Sequence, residues 1–376
     1  MKSLGLYIHI PFCKQKCNYC DFYSRPCTNI SEYIDALCTH IKREAPFYKD
    51  YEITTIFIGG GTPSLLEVQD IDKLCKTIKN SLNIAPSVEF SIEANPGTLT
   101  KEKLECYIQN GINRISIGLQ SANENELKVL GRIHNLADFE NSITLAKEAG
   151  FKNINADIMY ALPSQSLENL AKTLDYVSKF DLEHISAYCL KIEENTPFYK
   201  QREMLQIPNE DTEYEMYMYI CKFLEEKGYK QYEISNFSKE GMECKHNLAY
   251  WLSYDYVGFG PSAHSFIDGK RYFYENDTEK YKKEAISVDF CPVKHYEEES
   301  EIEQGSMEEY TMLRLRLARG IDLQEFEEKF GVSFESAYPK ITSFYKDEYL
   351  VKENGKVHFT SKGFFVSNFI LSSILL

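Results

Sequence analysis

Tyr7-Ile8-His9-Ile10-Pro11-Phe12-Cys13-Lys14-Gln15-Lys16-Cys17-Asn18-Tyr19-Cys20-Asp21-Phe22 begins as a strand and ends in three cysteines spaced C-x3-C-x2-C. An apolar residue, Phe22, stands where a fourth cysteine could sit. Thiolates this close in sequence can converge on one inorganic centre, because a short loop can wrap it. Cysteine thiolates are the usual ligands of iron–sulfur clusters, and a cubane commonly takes four. Three local ligands therefore suggest a [4Fe–4S] cluster with one iron open to a small molecule. A closed structural zinc site is the alternative, but it wants four protein ligands. No C-x2-C partner and no H-x3-H pair follows nearby.

Outward from this loop, the first half of the chain alternates strand-like and helix-like runs. Strands are expected at residues 5–10, 54–58, 89–93, 114–119, 153–159 and 184–190. Helices are expected at 30–47, 68–82, 101–110, 138–149 and 167–179. Such alternation implies a parallel sheet. Several of the strands read as apolar on both faces, as a buried parallel sheet requires. Gly111 and Gly150 fall where helix C-caps are expected. The chemically informative residues cluster at the ends of these strands. The cysteine loop follows the first strand and Gly59-Gly60-Gly61-Thr62-Pro63 the second. Glu93 ends the third, Gln120 follows the fourth, and Asp157 lies near the end of the fifth. Loops at the C-terminal face are where barrel enzymes build their sites.

From about residue 211 the pattern changes to a long helix and shorter aromatic-rich elements. The acidic stretch 297–303 reads as a solvated connector. Helix-like runs then lead to strands at 349–353 and 356–360, joined by Asn354-Gly355, a strong hairpin signal. Helices followed by a hairpin suggest a winged-helix-like α+β module. The expected division is 1–210, 211–300 and 301–376. The apolar end, residues 364–376, is too short to span a membrane and reads as a packed terminal helix.

The 376 residues, 43% hydrophobic, suffice for one large domain and a smaller one. The formal charge of −15, without a basic run, argues against nucleic-acid binding. The eleven cysteines come without a long apolar leader, which points to a reducing cytoplasm rather than to disulfides. Outside the triad, Cys27, Cys38, Cys75, Cys106, Cys189, Cys221, Cys244 and Cys291 are dispersed and read mostly as small buried hydrophobes.

The cysteine spacing resembles that of the radical S-adenosylmethionine (SAM) superfamily. That resemblance implies an open, partial (β/α)6 barrel and an oxygen-sensitive [4Fe–4S] cluster on Cys13, Cys17 and Cys20. It also implies SAM on the open iron, cleaved after a one-electron reduction to methionine and a 5′-deoxyadenosyl radical. An electron donor is thereby implied as a partner. By the same resemblance, the segment carrying Gly60, Gly61 and Thr62 meets the methionine amino group. Glu93 takes the ribose hydroxyls, and the Phe22 backbone meets the adenine. Arg132, in Leu130-Gly-Arg-Ile-His134, pairs with the methionine carboxylate through its forked donors. Gln120 offers an amide, Tyr7 adds to the mouth, and Tyr188 and Lys191 are weaker pocket candidates. Asp157 opens Asp157-Ile-Met-Tyr-Ala161-Leu-Pro-Ser-Gln165, which matches the family's D-x-M-Y-G-L-P-x-Q pattern except at Ala161.

Tyr7-x-His9-Ile-Pro-Phe-Cys13 is similar to one branch of that superfamily. The branch contains oxygen-independent coproporphyrinogen III dehydrogenase and the HemW heme chaperones. The dehydrogenase has a cysteine two positions past the third ligand, where Phe22 stands here, and an extension ahead of its first strand. His246-Asn247-Leu-Ala-Tyr250-Trp251 resembles the chaperones' H-N-x-x-Y-W motif, and Gly258-Phe-Gly-Pro-Ser-Ala-His264-Ser265 the family's G-x-G-x-x-A-H-S segment. The expectation is a heme-binding chaperone with His246 as an axial ligand to heme iron. Its partner would be a respiratory hemoprotein acceptor, met in the cytoplasm or at the membrane surface. A homodimer is left open. The alternative is oxidative decarboxylation of coproporphyrinogen III.

Overall fold

The computed structural model describes residues 1–26, 28–289, 291–296 and 305–375. The acidic stretch 297–303 and Cys27 lie outside the described residues. The six expected strands are present as β1 (Lys2–Ile10), β2 (Tyr51–Gly60), β3 (Ile84–Ala94), β4 (Arg114–Gln120), β5 (Ile154–Tyr160) and β6 (His184–Cys189). They pair in parallel in that order. The crossovers carry helices at Ile30–Glu44, Val68–Ser81, Lys101–Gln109, Leu136–Ala149 and Leu167–Ser178. This is the expected half-barrel of alternating units. One strand more joins it than the sequence suggested: Tyr256–Phe259 pairs in parallel with the outer edge of β1. Strands at 264–267, 270–273 and 295–296 continue that edge antiparallel, and those at 236–238 and 230–231 extend the β6 edge.

The strands are buried on both faces, but only the outer face is apolar. Leu6, Ile8, Ile56, Ile58, Phe90, Ile92, Ile115, Ile117, Ile158 and Ile185 belong to one core with helix residues such as Leu37, Ile41, Leu74 and Ile78. Burying each such side chain is worth about 1.5–3 kcal/mol. The inward positions are mostly polar or aromatic: Tyr7 and His9, Thr55 and Phe57, Glu89, Ser91 and Glu93, Arg114 and Ser116, Asn155 and Asp157, His184 and Ser186. Register aligns them, Tyr7 with Phe57, Phe57 with Ser91, Glu93 with Ser116, Ser116 with Asn155 and Asn155 with His184. The apolar-both-faces expectation is corrected to strict alternation, because one face meets helices and the other a polar interior.

The C-terminal part holds helices at Met307–Arg314, Leu323–Phe330 and Ile341–Lys346 and a three-stranded sheet. Its hairpin, Leu350–Glu353 with Lys356–Phe359, turns at Asn354 and Gly355, both at positive φ (50° and 74°), the conformation that this dipeptide favours. The apolar terminus forms short helices at Ser361–Phe365 and Ser367–Leu375, burying Ile370 and Leu371. Among the described residues no helix is long and apolar enough to cross a membrane.

Candidate functional site

The cysteine loop leaves β1 at the C-terminal edge of the half-barrel. Cys13, Cys17 and Cys20 are all partly exposed and none is in a disulfide. As placed, the three sulfurs are not drawn to one point: among the described residues no group of three or more His, Cys, Asp and Glu is arranged to hold a metal ion. A hydrogen-bond relay nevertheless ties two of them together. Thr62 Oγ1 donates to Cys13 Sγ (3.5 Å) and accepts from Asn95 Nδ2 (2.9 Å). Asn95 Oδ1 accepts from Arg132 Nη2 (2.8 Å), and Arg132 Nη1 donates to Cys17 Sγ (3.7 Å). Donors aimed at sulfur suit thiolate ligands, so the residues present fit a thiolate-bound cluster. Burial, helped by Cys17 and Cys13, pushes the Cys20 thiol up to about 11. A bound metal must displace that proton.

The glycine run serves this packing. Gly60 has φ 109°, and a Cβ there would lie 2.5 Å from the His9 ring. A Cβ on Gly61 would lie 2.7 Å from the Phe12 carbonyl oxygen. Gly61 N–H donates to the Ile10 carbonyl (2.8 Å) and Gly60 N–H to Glu93 Oε2 (3.1 Å). Side chains here would drive the segment off the β1 edge. Glu93 stands beside Asp157, and burial together with that neighbouring carboxylate raises its pKa to about 8. Asp157 is held by Ser116 Oγ (2.9 Å) and Asn155 Nδ2 (2.8 Å). Tyr7 reaches into the same interior, its hydroxyl 3.1 Å from His9 Nδ1. Gln120 is buried at φ 69° beside Gly118, whose carbonyl accepts from Arg132 Nη2 (2.8 Å). A Cβ on Gly118 would lie 2.7 Å from the Gln120 amide. Ala161, where the pattern has glycine, has φ 57°, a left-handed conformation costing a non-glycine residue about 1 kcal/mol.

Gly60, Gly61, Thr62, Glu93, Gln120, Arg132 and Asp157 thus meet at one end of the half-barrel. Cys17, Thr62, Asn95, Arg132 and His134 line an open cleft there. Phe22 points its ring outward, 70% exposed, while its backbone faces the Cys20 thiol. Sequence reasoning missed Asn95, the hub of the relay, and Gly118. Asn95 lies two residues past Glu93, just beyond the end of β3, and Gly118 two residues before Gln120 in β4, and that spacing was the available signal.

His246 lies elsewhere. The Lys245–Trp251 helix enters the half-barrel from the other end of the strands and acts as its floor. Glu89 accepts from the backbone N–H groups of Lys245 (2.9 Å) and His246 (3.0 Å) and from Cys244 Sγ (3.5 Å). The His246 ring is 1% exposed, stacked on Phe57 and hydrogen-bonded to Thr55 Oγ1 (2.8 Å) and Tyr250 OH (2.9 Å). Burial and the Arg114 charge lower its pKa to about 3. Phe57 in turn stacks on Tyr7. The structure sets His246 inside the half-barrel, one aromatic layer below the mouth.

Residues 7–177 match the radical SAM superfamily, and residues 304–366 match the HemN C-terminal domain. The chain is 36% identical to the heme chaperone HemW of Lactococcus lactis, over 100% of this chain and 98% of the relative. It is 36% identical to the HemW of Bacillus subtilis (100% and 99%) and 34% identical to that of Escherichia coli (96% and 97%). Among solved structures, Escherichia coli coproporphyrinogen III oxidase, HemN, a radical SAM enzyme, superposes with a TM-score of 0.83 over 99% of this chain and 90% of that one. At 21% identity this likeness carries the fold alone.

Proposed function

This chain belongs to the HemW family of the radical SAM superfamily, and on that premise we propose that it is a heme chaperone that binds a [4Fe–4S] cluster, SAM and heme and hands the heme to a respiratory hemoprotein. The observation that carries the reading is the relay from Cys13 through Thr62, Asn95 and Arg132 to Cys17. It joins the residues assigned to the cluster with those assigned to SAM. Cys13, Cys17 and Cys20 would hold the cluster, which when reduced supplies one electron to a sulfonium on its open iron. Arg132, fixed through Nη2 by Asn95 and Gly118, through Nε by His134 and through one Nη1 hydrogen by Cys17, would present its remaining Nη1 hydrogen and its charge to a carboxylate. Glu93, protonated below about pH 8 in the free protein, becomes the acceptor for ribose hydroxyls on losing that proton. Gly60, Gly61 and Thr62 meet the methionine end, Gln120 and Asp157 line the pocket, the Phe22 backbone flanks the base, and Tyr7 closes the inner side. We assign this work to residues 1–210 and heme to the extension, 211–300. His246 would hold heme iron only in a form where its ring has turned away from Thr55 and from Tyr250 on its own helix. An electron donor docks at the cysteine loop.

Phe22 in the place of the dehydrogenase's additional cysteine supports the chaperone over the decarboxylase. The test is anaerobic cluster reconstitution followed by parallel assays of hemin binding and coproporphyrinogen III conversion. Stoichiometric heme binding with no vinyl product is expected. Vinyl formation above a cluster-free control would replace the reading with the decarboxylase.

A further inference from the structure

The cysteine loop leaves β1 and crosses the mouth, and the peptide between Cys17 and Cys20 is gripped on the far side. Asn18 N–H donates to the Leu130 carbonyl (2.9 Å), and the Asn18 carbonyl accepts from Phe198 N–H (2.9 Å). Asn18 Nδ2 donates to the Val129 carbonyl (2.8 Å), and Gln15 Nε2 to that of Gly131 (3.0 Å). Gly131 has φ 73°, and a Cβ there would lie 3.2 Å from the Asn18 carboxamide. Residues 129–131 follow β4, and Phe198 follows β6. Two segments distant in sequence from the loop and from each other thus close on one residue, Asn18.

Phe198 belongs to a stretch that carries none of the SAM motifs. Residues 190–206 leave β6, and both ends are tied to the chain that leaves β5. Leu190 N–H donates to the Tyr160 carbonyl (3.0 Å), and Ser164 N–H to the Gln206 carbonyl (2.7 Å). Ser164 Oγ also donates to Gln206 Oε1 (3.2 Å). Within this excursion Thr196, 1% exposed, starts a short helix, Pro197–Gln201. Its Oγ1 accepts from Tyr199 N–H (3.2 Å) and donates to the Glu193 carbonyl (2.7 Å). The helix buries Phe198 with Leu130, Met159, Leu162 and Leu190, and Tyr19 and Leu205 pack against them. This small apolar cluster shares no residue with the core of the half-barrel. A satellite cluster under a long connecting segment can open as a local unit while the main core stays folded.

Three thiolates bind one cluster only when their sulfurs converge, and every loop residue ordered at that moment costs conformational entropy. With Asn18 bonded on both sides and Tyr19 packed, the arm between Cys17 and Cys20 is ordered beforehand. Its order is supplied by a segment that holds none of the three ligands.

We propose that residues 190–206 are a strap that holds the cysteine loop ready for its cluster, with Phe198 as a positioning residue acting through Asn18 and Tyr19. This rests on the reading of Cys13, Cys17 and Cys20 as cluster ligands and adds a new segment to it.

The cluster of the full-length protein is reconstituted anaerobically, and its visible absorbance is followed during challenge with an iron chelator. Phe198→Ala is expected to lose the cluster about fivefold faster than wild type or more, because it empties the satellite cluster. Phe198→Leu, which refills most of that space, should stay within about twofold of wild type. Leu205→Ser, a milder change at the rim of the same cluster, should fall between the two. Amide hydrogen exchange separates positioning from plain packing. In Phe198→Ala it should rise in residues 13–20 and 190–206 and keep its wild-type level in β2 and β3. Exchange raised evenly along the chain would make Phe198 an ordinary core residue and overturn the proposal. So would cluster loss at the wild-type rate in both Phe198→Ala and Leu205→Ser, which would leave the cluster assignment intact. A wild type that assembles no cluster would sink that assignment and the strap's role with it.

Discussion

The two ends of the half-barrel use the same alternation of polar residues for opposite purposes. At the floor, Glu89, His184 and His246 have partners for every ring nitrogen and both carboxylate oxygens. At the mouth, two cysteine sulfurs sit at the ends of a relay, Glu93 is held with a raised pKa, and Gly60, Gln120 and Ala161 adopt positive φ. A satisfied polar network sealed from water is architecture. A perturbed carboxyl and strained backbone beside an open cleft mark a place where a ligand completes the bonding. A buried polar residue is therefore informative only through what its partners leave unmet.

The sharpest way to break this contrast is Glu89→Ala. It removes the acceptor of two backbone N–H groups and a thiol at a buried helix start, and each orphaned donor costs about 1–3 kcal/mol. A stability loss of at least about 3 kcal/mol in denaturant unfolding is expected, with SAM affinity unchanged in the folded fraction. An unaffected midpoint would deny the floor its structural role.

Glu93 provides the second test, through pH. Its pKa is about 8 in the folded protein against 4.5 for an unperturbed glutamate, so the folded state holds the proton more tightly. Below pH 4.5 both states are protonated. As pH rises to 8 the unfolded chain releases the proton first, and wild-type stability falls. Glu93→Gln removes this fall. The variant should match wild type near pH 4.5 and exceed it at pH 8 by on the order of 2 kcal/mol, after allowance for partial solvent contact. Parallel pH profiles for the two proteins would show that Glu93 titrates alike in the folded and unfolded states.

The mildest test is Arg132→Ala. Its loss leaves two acceptors, Asn95 Oδ1 on a partly exposed residue and the carbonyl of buried Gly118, beside a vacated space at the open cleft that water can fill. SAM affinity should fall about tenfold, or about 1.4 kcal/mol, with the iron content retained. Unchanged affinity would detach the relay from ligand binding and leave it a brace for the cysteine loop.

Local pattern made much of this legible. The helices and strands of the first half fall within a few residues of their expected bounds, except that β3 begins at Ile84, because periodicity and caps such as Gly150 act over one or two turns. The Asn354-Gly355 hairpin was legible for the same reason. The strand Tyr256–Phe259 was not: four residues carry little periodicity, and it exists only because β1, some 250 residues earlier, leaves an edge to pair with. The partner of Arg132 was hidden likewise, since Asn95 reaches it only when β3 and β4 stand side by side.

Which residues can carry chemistry is written in the chain alone: three thiols on one short loop, a glycine run, and an arginine, a glutamate and an aspartate near strand ends. Thiol chemistry and backbone permissiveness are properties of single residues and survive any fold. Which of them share a space was settled by tertiary packing. It joined Cys13 to Cys17 through Thr62, Asn95 and Arg132, took His246 out of reach beneath Phe57, and brought Leu130 and Phe198 to Asn18. Those outcomes depend on strand register and on which face of the sheet is enclosed, and both are set by contacts between segments distant in the chain.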